Sequence, residues 1–187
     1  MEVFLQIQNR KGKAIEEKEI TLRMRIEEGG KEMVRCDILK PDWEQETISL
    51  TWKGDNIYAK QQRPGEKERA VSLEPEDQFL GTNLKYADMR QSESIHYIYK
   101  WVGEDVIEAS EDNKKAVYHR KLLHVTQKSN GFWVIDKIEY FSERKLLKTR
   151  ENSELQGFKS GWRPGKIVVK EKDYTTILYL KWKEVAE

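Results

Sequence analysis

The sequence predicts a mainly β protein: a strongly curved antiparallel up-and-down sheet, an incomplete half β-barrel with a short helical or loop cover. Three observations predict it. Apolar and polar residues alternate with period two in nearly every ordered run, giving each run one face for a core and one for water. Short clusters of Gly, Asn and Asp separate the runs, and these residues supply the positive φ angles of tight hairpins. Helical signal is weak and confined to 72–94, too little for a full second layer. The composition agrees, because 37% hydrophobic and 36% charged residues make a lean core beside a large wet face.

Strands are predicted near 2–9, 15–27, 32–40, 47–53, 56–62, 95–102, 116–126, 132–141, 145–151, 166–172 and 174–183. The run EITLRMRIE is the clearest: Ile20, Leu22, Met24 and Ile26 share one face, Thr21, Arg23 and Arg25 the other. MVRCDIL groups Val34, Cys36 and Ile38, and TISLTWK groups Ile48, Leu50 and Trp52. Tyr97, Tyr99 and Trp101, with the runs WVIDKIEYF and TTILYLKW, favour β-structure by residue type. Hairpin turns are expected at NRKGK, EEGGK, WKGDN, KSNG, GWRPGK and EKD. Within 72–94, SLEPEDQF and NLKYADMRQ each suit one helical turn, the second with Asn83 as candidate N-cap. The length of 187 residues, without repeat or linker, suits a single domain over 1–187.

Charge narrows the function. Lys plus Arg number 34 and Asp plus Glu 33, so no excess exists to condense on nucleic acid or anionic lipid. The cluster Arg63, Lys67, Arg69 is interrupted by Glu66 and Glu68, a poor nucleic-acid site. No run approaches the roughly 20 apolar residues of a membrane span. The chain starts inside a strand-like run and without the layout of a secretion signal, which suggests that an upstream piece, with any signal sequence and N-terminal helix, is absent. Cys36 is alone, has no disulfide partner in the chain, and reads as a small buried residue. His96, His119 and His124 lack ligand spacing. The acidic pairs Glu16–Glu17, Glu104–Asp105 and Glu111–Asp112 flank turns, and Ser72 and Ser129 have no evident base. There is no phosphate loop, G-x-G-x-x-G or G-x-S-x-G. The expectation is no metal, no cofactor and no catalysis.

A long meander must close on itself or cover its apolar face. The economical solution is a sheet that curls, with 72–94 laid across its mouth; such a sheet encloses more room than its side chains fill. A filled barrel or a flat sandwich gives similar alternation. Leu22, Met24, Ile26, Val34, Ile38, Leu50 and Trp52 therefore either line a lipid-binding cavity or form ordinary core. Phe79, Leu80, Gly81, Tyr86 and Asp88 read as a movable lid, as a packed loop, or as both.

The segment DQFLGTNLKYADM resembles the Phe-x-Gly-Ser/Thr-Asp/Asn-x-x-Tyr-x-Asp stretch of the LolA-like outer-membrane lipoprotein-sorting family, with Phe79, Gly81, Thr82, Asn83, Tyr86, Asp88 and Met89 at its spacing. GKAIEEKEITLRMRI is similar to the family's early hairpin, with Asn9 and Arg10 in place of its acidic residue. Tyr118, Lys137, Tyr140, Lys145, Leu146 and Lys148 match its later Tyr- and Lys-rich block, where SERK replaces the usual hairpin Gly. Trp162, Pro164, Thr175 and Thr176 match its closing strands. The ordered series carries the likeness over most of the chain. It implies a LolA-like half-barrel plugged by helices and a periplasmic or envelope-facing carrier. The carrier would shelter lipoprotein acyl chains or another lipid, with no enzymatic activity, no nucleic acid and no span of its own. It also implies an alternative: an interaction module of the same fold that senses lipid or envelope stress and reports to a membrane-protein partner.

Overall fold

The structure, a computed structural model, describes residues 1–9, 11–27, 31–53, 56–89, 97–111, 116–129, 131–158 and 161–182. The alternating runs form strands as expected. A first meander comprises β1 (Glu2–Asn9), β2 (Ala14–Glu27), β3 (Lys31–Lys40), β4 (Glu46–Lys53), β5 (Asn56–Gln62) and β6 (Arg69–Val71). A second comprises β7 (Ile98–Trp101), β8 (Val106–Ser110), β9 (Arg120–Gln127), β10 (Trp133–Ser142) and β11 (Lys145–Ser153). A separate small hairpin, β12 (Gln156–Phe158) and β13 (Gly161–Arg163), precedes β14 (Lys166–Lys170) and β15 (Tyr174–Lys181).

Among the described residues thirteen strands make one sheet in the order β6-β5-β4-β3-β2-β1-β15-β14-β11-β10-β9-β8-β7. The sheet is mainly antiparallel and open, with β6 and β7 as its edges. The up-and-down pattern holds within each meander. The last hairpin knits the two together, because β14 pairs with β11 and β15 pairs with β1. β1 consequently lies inside the sheet, where Leu5 is fully buried and Val3 and Ile7 nearly so.

Several differences from the sequence reading have simple causes. β6, β8, β12 and β13 were not expected; they are three to five residues long and carry little apolar alternation. In β8 only Ala109 is buried. The strand predicted from 116 begins at Arg120. A 3-10 turn at Asp42–Glu44 lies outside the segment to which helix was confined; Pro41 precedes it, and a short connection needs one tight turn there. The turn at Tyr86–Met89 forms, but Asn83 does not cap it, because its side-chain amide donates to the Tyr174 carbonyl instead.

One short segment shows how strongly the sheet bends. Tyr86 packs in the same core cluster as Cys36 on β3 and Leu50 on β4, while Asp88, two residues on, bonds Lys148 on β11. Five strand spacings separate β3 from β11, about 24 Å in a flat sheet. The sheet must therefore curl around residues 77–89. Its concave face carries the main core: Leu22, Val34, Cys36, Leu50 and Trp52 from the first meander and Ile167, Val169, Leu178 and Leu180 from the knitting strands. Two smaller clusters occupy the second meander, Ala109 with Leu123 and Val125, and Tyr118 with Ile138 and Tyr140.

The β10–β11 hairpin places Glu143 at φ 52, where the related pattern has Gly. A side chain in this left-handed region costs about 1–2 kcal/mol. Glu143→Gly is therefore expected to leave stability unchanged or raise it by up to about 1 kcal/mol, after the added unfolded-state entropy of Gly. Urea melts check this, and a clear loss would show that the Glu143 side chain contributes contacts of its own.

Candidate functional site

Residues 77–89 form a strap across the concave face. The chain folds there by local hydrogen bonds that neither a helix nor a sheet would supply. Phe79 N–H donates to the Leu84 carbonyl at 2.7 Å, and Gln78 and Lys85 form an isolated bridge. The Thr82 hydroxyl donates to the Phe79 carbonyl at 2.6 Å and accepts from Leu84 N–H at 3.0 Å. Asp88 accepts from Lys85 N–H at 2.7 Å, which closes the second turn. The first turn runs through Leu80 at φ 52 and Gly81 at φ 73. Gly81 adopts this conformation freely, whereas Leu80 is held in it by its surroundings.

Apolar side chains seat the strap. Phe79 is fully buried and meets Tyr86 edge-on with ring centroids 5.6 Å apart. Leu84, Tyr86 and Met89 complete the contact with the concave core. Burial pushes the Tyr86 hydroxyl up to about 12.

Polar contacts then pin it to β15, to β11 and to Tyr118 just before β9. Asn83 N–H donates to the Thr176 hydroxyl at 3.1 Å, and the Asn83 amide donates to the Tyr174 carbonyl at 2.7 Å, both on β15. Lys148 on β11 donates to the Asn83 carbonyl at 3.0 Å and to Asp88 Oδ2 at 2.6 Å. The side chains of Lys148 and Asp88 are each only 3% exposed. The Tyr118 hydroxyl donates to the same Asp88 oxygen at 3.1 Å. Lys148 Nζ also stands 4.9 Å from the ring centroids of both Tyr118 and Tyr140. Burial lowers the Lys148 pKa, and Asp88 opposes that shift. Burial also pushes the Tyr118 hydroxyl up.

Of the residues singled out from the sequence, Leu22, Val34, Ile38, Leu50 and Trp52 lie buried on the concave face beside the strap. Met24 is partly buried at the margin of that cluster. The Ile26 side chain lies outside the described residues. Phe79, Leu80, Gly81, Tyr86 and Asp88 all belong to the strap, with Leu80 partly buried. His119 precedes β9 and bonds the Phe141 carbonyl through its backbone; His124 faces Glu139 at 3.7 Å; His96 lies outside the described residues. No group of three or more His, Cys, Asp or Glu able to hold a metal occurs among the described residues. No helix among them is long and apolar enough to cross a membrane.

The sequence reading left Tyr118, Tyr140, Lys148 and Thr176 out of the candidate site. Periodicity carries no signal for Lys148, since β11 reads as a polar strand, nor for Tyr118, which lies outside any strand. Their signal was membership of one ordered motif series with Asn83 and Asp88, which the fold brings into a single network. A separate cleft of about 460 Å³ opens beside β1 and β15, lined by Phe4, Leu39 and Tyr179 with Glu19 and Gln156. Its lining mixes Phe4, Glu19 and Tyr179 with Val3, Ile20 and Leu180, which alternate with them along the same strands.

The model of a family described as "Uncharacterized protein" matches residues 30–185. No curated protein matches the chain in sequence. Solved structures match in fold. One, from Vibrio parahaemolyticus, is described as an outer membrane lipoprotein-sorting protein domain; it has a TM-score of 0.77 and 15% identity over 95% of this chain and 80% of its own. A DUF1329 family protein from Desulfovibrio piger has a TM-score of 0.76 and 16% identity, covering 95% of this chain and 81% of its own. A LolA superfamily protein from Nitrosomonas europaea has a TM-score of 0.68 and 19% identity, with coverage of 95% and 81%. At these identities the likeness is one of fold, and that fold is LolA-like.

Removing one partner of a buried ion pair strands the other charge and costs about 3–5 kcal/mol. Asp88→Asn is expected to destabilise by that order. Combining it with Lys148→Met should cost at least about 1 kcal/mol less than the sum of the single changes, since coupled neighbours are not additive. A double-mutant cycle by urea unfolding measures this; strict additivity would mean that the pair does not act as a unit.

Proposed function

The chain belongs to the family whose model spans residues 30–185, and we propose that it is a non-enzymatic carrier, periplasmic or envelope-facing, for acyl chains of a lipoprotein or another lipid. The single observation that carries this reading is what covers the apolar concave face. Among the described residues a short strap with an ion-pair lock lies there, in place of a second sheet or a helical layer. On this reading Leu22, Met24, Ile26, Val34, Ile38, Leu50 and Trp52 line the lipid site, and the strap is its lid.

Magnitudes favour exchange. Burying an acyl chain gains about 0.8 kcal/mol per methylene, so a chain of fourteen methylenes gains about 11 kcal/mol. Lifting Phe79, Leu84, Tyr86 and Met89 exposes four large side chains at about 1.5–3 kcal/mol each, or about 6–12 kcal/mol. Cargo and strap are thus near-equivalent occupants of one surface, which lets a carrier both load and release.

One observation favours the second reading, a sensing module of the same fold. Trp101, Val102, Phe132 and Trp133 are all about half exposed at neighbouring hairpins, with the two Trp rings 5.5 Å apart. Contiguous exposed apolar surface of this kind commonly marks an interaction site. If lipid loading changes affinity for a membrane-protein partner, the sensing reading gains over the carrier.

The carrier reading predicts bound lipid in native mass spectra of gently purified protein and saturable binding of a fluorescent acyl probe. Hydrogen exchange in 79–89 should speed up on loading, while 20–26 and 133–140 stay slow. Absence of both lipid and probe binding would overturn the reading. A strap whose exchange is unchanged on loading would remove it from the role of lid.

A further inference from the structure

The concave side of β11 is polar where its neighbours are apolar. Arg150 stands in register between Ile138 on β10 and Val169 on β14, which are 7% and 0% exposed. Residues opposed across antiparallel ladders share a face. The partly buried guanidinium therefore rises between the main core and the cluster of Tyr118, Ile138 and Tyr140.

The side chain is held in place but not neutralised. Its Nε donates to Asn152 Oδ1 at 3.0 Å. The Asn152 amide in turn donates to the Ile135 carbonyl at 2.8 Å, which fixes the amide with its oxygen toward Arg150. Among the described residues no carboxylate pairs with Arg150. Acids close in sequence or space are engaged elsewhere. Asp88 is held by Lys148 and Tyr118, and Glu151 lies on the other face with Lys170 at 3.1 Å. Two other cations on the concave face have anions: Lys148 has Asp88, and Lys18 has Glu16 and Glu44.

A cation set among apolar side chains with only a neutral amide partner is poorly compensated. Its planar fork matches a carboxylate or a phosphate in a bidentate arrangement. We propose that Arg150 is the head-group residue of the lipid site, and that the cargo is an acyl amphiphile with an anionic carboxylate or phosphate head. This rests on the carrier reading and narrows it, since acyl chains attached only through neutral ester or amide linkages would leave Arg150 without a partner. The tail has apolar surface on either side of β11, and Asn152 presents the guanidinium to the head.

The test compares three ligands of equal chain length on the full chain at pH 8: dodecanoate, dodecyl phosphate and dodecanol. The wild type is expected to bind at least one anion ten-fold or more tighter than the alcohol, and the two anions separate a carboxylate head from a phosphate head. Arg150→Gln should abolish that preference while leaving dodecanol affinity within about two-fold, and Arg150→Lys should keep part of it. The wild-type comparison stands by itself should Arg150→Gln fold poorly. Equal wild-type affinity for the alcohol and both anions, or a preference that survives in a folded Arg150→Gln, overturns the inference while the carrier reading stands. Binding of none of the three overturns the carrier reading together with it.

Discussion

A lysine and an aspartate, 2.6 Å apart and each almost wholly removed from water, connect the far side of the sheet to the strap that fills it. Desolvating such a pair is expensive, and an apolar pair of similar size would often be as stable. What the pair adds is position. Lys148 recognises both the Asp88 carboxylate and the Asn83 carbonyl, and Tyr118 closes on the same carboxylate. Hydrophobic contact alone would let the strap slide over a smooth apolar surface. The charged contact gives it one register.

That register also supports the curvature of the open sheet. The two meanders touch along the ladders of the last hairpin, through β14 and β15. Curvature must then be supported from within, because the edges β6 and β7 do not close on one another. The strap supplies that support, reaching β15 through Asn83, β11 through Asp88 and the first meander through Phe79 and Tyr86. Leu80 in a left-handed conformation is a local cost that this packing offsets.

On the proposed carrier reading, function and stability share one surface. The apolar face that stabilises the protein with the strap seated is the face that an acyl chain would occupy with the strap displaced. The same dual use explains why polar residues persist on it. Lys148 meets the strap, and Arg150, one step along the strand face, bonds the neutral Asn152 amide and no carboxylate among the described residues.

The strands were legible because a half-buried strand writes its burial into the sequence at period two. Leu22, Val34, Leu50 and Trp52 were placed on one face by that rule alone, and all are buried together. Short strands such as β8, with one buried residue, leave no such record. The strap was legible only as an apolar interruption with a family resemblance, since its turns rest on side-chain hydrogen bonds of Thr82 and Asp88 that have no period. Least legible was the network itself. Lys148, Tyr118, Asn83 and Thr176 are up to 93 residues apart along the chain, and a lysine in a polar-looking strand is indistinguishable from a solvated one. By itself the sequence determined the strand faces, the mainly β class and the place of the strap, because these follow from local periodicity and its interruption. Only the tertiary structure decided which charges were to be buried together, because that depends on strand order and curl, which bring β11 and residues 83–88 to the same few ångströms.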